Sequence, residues 1–146
     1  VVRVGLEAAN KEELIRRTIH LLEGQEGVRS LDDVERAVFE REERMSTGVG
    51  KGLALPHAKS DAVERTVAAF ATTAEPVDYE AMDGAPVGIV FLLVGPEQSK
   101  SQHIKLLSRI SRLMNREPLR ARLLEAGSPD EIIEVFREGE AQFASG

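Results

Sequence analysis

The chain contains no cysteine, which excludes disulfides, thiolate metal sites and cysteine nucleophiles together and fits a reducing compartment. No apolar run approaches the roughly 20 residues that span a bilayer, and no signal-peptide pattern follows Val1. The chain is therefore expected to be cytoplasmic and not membrane-embedded. It begins with Val1 rather than methionine, as a trimmed chain or a piece of a longer protein does. A surplus of positive charge is missing too: 19 Lys and Arg stand against 25 Asp and Glu, a net charge of −6, with the two signs interleaved. A nucleic-acid surface needs a basic face, and none is visible. Repeats, low-complexity tracts and Pro/Gly/Ser linkers are absent, so residues 1–146 read as one domain.

What is present is an ordinary globular balance, 42% hydrophobic and 30% charged over 146 residues, enough for one continuous core. Residues 1–6 are short and apolar and predict a strand. Asn10 precedes Lys11-Glu12-Glu13 as a helix cap, and Leu14, Ile15, Ile19 and Leu22 repeat at helical spacing until Gly24. Ser30 with Asp33 opens a second helix carrying Leu31, Val34 and Val38 to about Arg44. Residues 66–72 and 87–94 predict strands. The second is apolar almost throughout, which places it at a sheet centre, buried on both faces. Ser99 or Ser101 caps a helix with Ile104, Leu107, Ile110, Leu113 and Met114 inward, and a shorter helical stretch follows near residues 118–124. Ser128-Pro129-Asp130-Glu131 supplies a cap, a first-turn proline and an acidic third position for a last helix. Strands alternating with helices give an α/β class, a sheet with helices on its faces, and leave the strand order open.

The segment Thr47-Gly48-Val49-Gly50-Lys51-Gly52-Leu53-Ala54-Leu55-Pro56-His57-Ala58 stands out. It is not a Walker loop, because Gly52 and an apolar run follow Lys51 where Ser or Thr and a helix belong. Nor is it a dinucleotide fingerprint, which needs a strand before and a helix after. What remains is a glycine-rich loop feeding a short extended segment. Pro56 holds Leu55 extended and removes a backbone donor, so His57 emerges at a strand edge or loop. A lone histidine there is often just a surface imidazole. His103 shares a helix face with Leu107, Ile110 and Met114, so it heads an inward stripe; taken alone it is a core-edge histidine. Together the two suit a phosphoryl ligand: a neutral imidazole is a good nucleophile, the N–P bond stays reactive, and a helix N-terminus favours phosphate oxygens. Arg41, near the end of the second helix, offers a planar fork of donors for phosphate; its plain alternative is an exposed arginine paired with Glu42 or Glu43. His20, beside Ile19 and Leu22, reads as structural or exposed.

The run Gly52-Leu53-Ala54-Leu55-Pro56-His57-Ala58 resembles the phosphorylation motif of the fructose/mannitol type of phosphotransferase-system (PTS) IIA domains. Arg41-Glu42 and Ser46-Thr47-Gly48 fill the flanking places of that pattern, and His103-Ile104-Lys105-Leu106-Leu107 stands where the family's second histidine does. The resemblance covers nearly the whole chain. It implies a mixed sheet with helices on both faces. It implies that His57 accepts phosphate from the phosphohistidine of HPr or a close relative, and that His103 and Arg41 stabilise the phosphoryl group. The group then passes to a cysteine on a IIB partner, necessarily another chain or domain. The one departure is Ala58, where glycine is usual and which disfavours a positive φ.

Three functions follow from these residues. The first is a carrier feeding sugar uptake, with no cofactor and no metal. Such a carrier meets two partners through one shallow apolar surface, and Gly48, Gly50 and Gly52 fit a close approach by a partner backbone as well as plain turns. The second resembles the nitrogen-linked IIA relatives, in which the phosphorylation state of His57 controls binding to other proteins. The third makes His57 and His103 ligands of a metal, but a catalytic zinc site wants three protein ligands and only two candidates converge.

Overall fold

Asn10 starts the first helix as its position predicts, its side chain accepting the Glu13 backbone N–H at 2.9 Å. Ser30 does the same for the second helix through Asp33. The last helix has a reciprocal cap: Glu131 N–H donates to Ser128 Oγ, and the Glu131 carboxylate accepts Gly127 N–H. The structure is a computed structural model and describes residues 1–145, with side chains through residue 141. Its elements in order are β1 (Val2–Leu6), α1 (Lys11–His20), α2 (Leu31–Arg44), β2 (Gly48–Gly50), β3 (Leu53–Ala54), β4 (His57–Lys59), β5 (Val67–Val77), β6 (Val87–Gly95), a 3-10 turn (Glu97–Ser99), α3 (Lys100–Met114), α4 (Glu117–Glu125) and α5 (Pro129–Ser145). Among the described residues, no helix is long and apolar enough to cross a membrane.

The sheet is mixed, in the order β1-β5-β6-β3-β2, with β4 also on β6. β6 is central, antiparallel to β5 and parallel to β3 and β4. Its apolar run divides between two layers. Val90, Leu92 and Val94 join Leu14, Ile15 and Ile19 of α1 and Val34 and Val38 of α2. Ile89 and Phe91 face Leu113 and Met114 of α3, Leu119 and Leu123 of α4, and Ile132 and Val135 of α5. Burying each large aliphatic side chain stabilises the fold by about 1.5–3 kcal/mol, so the two layers together fix the sheet between its helices. This is the single-domain α/β architecture with helices on both faces.

The structure corrects several local expectations. β5 runs on to Val77, past the predicted end near Thr72. α3 begins at Lys100 behind a 3-10 turn, and Ser99 makes no side-chain cap bond. Ile104 is not inward but 57% exposed; the helix turns by about 100° per residue, and His103 takes the inward direction instead. The glycine-rich segment is not an open loop. β2 and β3 form a tight hairpin in which Gly50 has φ +97°. Nor does Gly48 leave room for a partner. A Cβ there would meet Ala81 Cβ at 2.8 Å and Tyr79 Cδ1 at 2.9 Å, so this protein's own chain occupies the space.

Candidate functional site

His57 opens β4, paired in parallel with Leu93 of β6. Pro56 precedes it without a backbone donor, and the Pro56 carbonyl accepts Leu93 N–H at 3.1 Å. The half-buried ring lies with Nδ1 2.8 Å from the Leu55 carbonyl oxygen. A carbonyl oxygen can only accept, so Nδ1 carries the proton and Nε2 keeps its lone pair. Ala58 packs into the core in β4 and needs no positive φ, so the departure from glycine has no conformational cost here.

The structure brings His103 beside His57, with ring centroids 5.8 Å apart and planes tilted by 48°. The loop after β6 turns back through the 3-10 turn into α3 and sets His103 in its first turn, 3% exposed. Among the described residues, neither of its ring nitrogens has a hydrogen-bond partner. A buried polar group without a partner is costly, which suits a position completed by a bound oxyanion. Gly95 gives the ring its room: a Cβ there would sit 3.3 Å from His103 Nδ1.

Burial holds the His57 imidazole below the ordinary value of 6.5; the Leu55 bond opposes this, the Arg41 cation adds to it, and the Glu42 carboxylate opposes it. His103 is lowered first by burial, then by the neighbouring His57 and Lys59 charges. Both rings are therefore neutral at pH 7. Arg41 acts on His57 through space, while its Nη1 donates to the Met45 carbonyl at 3.0 Å. Glu42, one of the two partners expected for an exposed Arg41, bonds Thr47 and Lys11 instead. His20 is exposed at the end of α1, away from the core.

Behind His57 lies a polar cluster whose geometry the sequence did not show. Glu42, 7% exposed, accepts from Thr47 N–H at 2.8 Å and Thr47 Oγ1 at 2.5 Å, and pairs with Lys11 Nζ at 3.0 Å. With the Thr47 proton given to Glu42, the buried Tyr79 hydroxyl donates to Thr47 Oγ1 at 2.9 Å. Burial and then Glu42 push the Tyr79 phenol above its ordinary value, so it stays protonated. The one advance signal was the Arg41-Glu42 and Ser46-Thr47-Gly48 pattern flanking the histidine. Among the described residues, no group of three His, Asp or Glu side chains could hold a metal ion.

Residues 1–139 match the family described as phosphoenolpyruvate-dependent sugar phosphotransferase system, EIIA 2. The chain is 38% identical over 130 residues to a PTS fructose-specific EIIA component of Haloferax volcanii, covering 89% of this chain and 84% of that protein. It is 35% identical over 137 residues to the PTS fructose-specific EIIABC component of Bacillus subtilis, covering 94% of this chain and 22% of the much longer relative. Among solved structures, the nitrogen regulatory protein IIA-Ntr of Neisseria meningitidis superposes with a TM-score of 0.86 at 32% identity, covering 92% of this chain and 91% of that one. With the fold and nearly the whole sequence in agreement, this chain belongs to the EIIA 2 family of the phosphoenolpyruvate-dependent sugar phosphotransferase system.

Proposed function

We propose that this protein is a cytoplasmic phosphohistidine carrier that takes a phosphoryl group from an HPr-like protein onto His57 Nε2 and gives it to a IIB cysteine, in support of sugar uptake. The observation that carries the proposal is the 2.8 Å contact of His57 Nδ1 with the Leu55 carbonyl, which leaves Nε2 unprotonated beside a buried His103 that has no hydrogen-bond partner among the described residues. In the first transfer the N–P bond of the donor phosphohistidine breaks as the Nε2–P bond forms. Nδ1 keeps its proton on Leu55, so the carbonyl dipole stabilises the positive charge that the ring acquires. His103 donates to a phosphoryl oxygen, and Arg41 moves from Met45 to add a second cation. Positioning and charge compensation supply the catalysis, as in phosphoryl transfer generally. In the second transfer a IIB thiolate takes the group and His57 returns to neutral imidazole. The B. subtilis relative supports a IIB partner, since its name joins A, B and C components.

Labelled phosphate supplied through enzyme I and HPr tests this directly. His57→Ala abolishes uptake of label, whereas His103→Ala still accepts it but passes it on slowly. Uptake that survives His57→Ala and disappears with His103→Ala reverses the two roles. The regulatory reading has its own support in the structural likeness to IIA-Ntr. There the phosphoryl group on His57 serves as a signal that another protein reads, and transfer to a IIB cysteine is absent.

A further inference from the structure

The Leu55 carbonyl decides which nitrogen of His57 carries the proton, yet the peptide it belongs to cannot be held from its nitrogen side. That nitrogen is Pro56, which has no N–H. The carbonyl is instead aimed by its flanks. On one side the Pro56 carbonyl is bonded to Leu93 N–H. On the other, Leu55 N–H donates at 2.9 Å to the Thr47 carbonyl. Thr47 is itself fixed twice by Glu42, through its N–H at 2.8 Å and its hydroxyl at 2.5 Å. Lys11 of α1 braces Glu42 from beyond at 3.0 Å. The hydrogen bonds thus run without a break from Glu42 to Thr47 to Leu55 to His57.

A buried carboxylate is costly unless its oxygens are bonded and its charge paired, and an apolar side chain of similar size often serves stability as well. Core packing alone therefore gives no reason for an acid at 42. We infer that Glu42 is a positioning residue. Through Thr47 and Leu55 it aims the carbonyl that keeps His57 in its Nδ1–H form, with Nε2 free for the phosphoryl group. The inference rests on His57 being the phosphoryl acceptor.

The test reads the ring directly, by nitrogen-15 NMR of histidine-labelled protein at neutral pH, with phosphoramidate as a partner-free phosphoryl donor. In that reaction the donor's P–N bond breaks, ammonia leaves and the Nε2–P bond forms. The unsubstituted protein shows His57 as Nδ1–H. Glu42→Ala shifts the ring toward the Nε2–H form and slows labelling about 10- to 100-fold, the loss expected of a displaced reacting group. Glu42→Met fills the same volume without an acceptor and does likewise should the alanine variant fail to fold. Glu42→Gln, whose amide oxygen still accepts Thr47 N–H, keeps the tautomer and most of the rate. An Nε2–H ring in the unsubstituted protein overturns the inference. So does an unchanged tautomer and rate in a folded alanine or methionine variant, or a folded glutamine variant that behaves like alanine. If the tautomer responds as stated but phosphoramidate never labels His57, the positioning chain stands and the acceptor role falls.

Discussion

At the residue scale the site is two imidazoles whose proton affinities are both lowered by burial. A histidine lowered on folding binds fewer protons in the native state than in the unfolded chain. Its contribution to stability is therefore complete above the unfolded value of 6.5 and lost as the pH falls from there through the folded values. Thermal unfolding followed from pH 7.5 to pH 5 should show the midpoint dropping over that window. His57→Asn with His103→Asn should flatten the drop. The same shift bears on reactivity, because only the neutral ring attacks phosphorus. Phosphoramidate labelling of His57 should be level around neutrality and decline below pH 6.5, and a rate that rises on acidification would contradict attack by the neutral ring. Gly95 gives a third measurement. Gly95→Ala puts a methyl 3.3 Å from His103 Nδ1 and 3.1 Å from Thr66 Oγ1, so the His103 ring signals should move and onward transfer should slow.

Elements differ in how far they could be read in advance. The caps at Asn10, Ser30 and Ser128 were legible because a cap is a contact across three residues. Asn10→Ala should accordingly cost about 0.5–2 kcal/mol in a denaturant titration without altering phosphoryl uptake. β6 was legible as central because a strand covered on both faces is apolar without alternation. The pairing of β4 with β6 was not, since three residues beginning at a histidine carry no periodic signal. Nor did periodicity place His57 against His103; their closeness was expected from the family resemblance, and the turn after Gly95 produces it. The glycine hairpin misled for a different reason. Close approach at Gly48 is made by residues 79–81, far along the chain, and no local pattern announces such a contact. Gly48→Ala should cost about 1–3 kcal/mol through overpacking against a neighbouring backbone, measured by thermal or denaturant unfolding.

At the scale of the whole molecule, the sheet separates two apolar layers, and the site lies where β6 ends and the chain turns toward α3. Ligand sites of α/β sheets commonly lie at the carboxyl ends of strands, because the loops leaving those ends converge there. On the proposed function, phosphorylation of His57 would add roughly −2 charge at this end, enough to change which proteins bind. Phosphorylated protein offered to IIB components should lose its label rapidly to a cysteine if it is a carrier. No transfer to any of them, with a protein retained in one phosphorylation state only, would establish the regulator instead. Leu92→Ala, far inside the first layer, should destabilise by about 2–5 kcal/mol while leaving the His57 tautomer unchanged, which separates global stability from the alignment of the site.

The chain has a single tyrosine and no tryptophan, and that tyrosine is Tyr79, buried with its hydroxyl on Thr47. Excited at wavelengths that its five phenylalanines do not absorb, the protein emits from that one ring, placed two hydrogen bonds from the Glu42 carboxylate. No label or engineered fluorophore is needed to watch this cluster. A stopped-flow trace of intrinsic fluorescence during phosphoryl uptake records whether the support behind His57 moves as the group arrives, at a single atomically defined position.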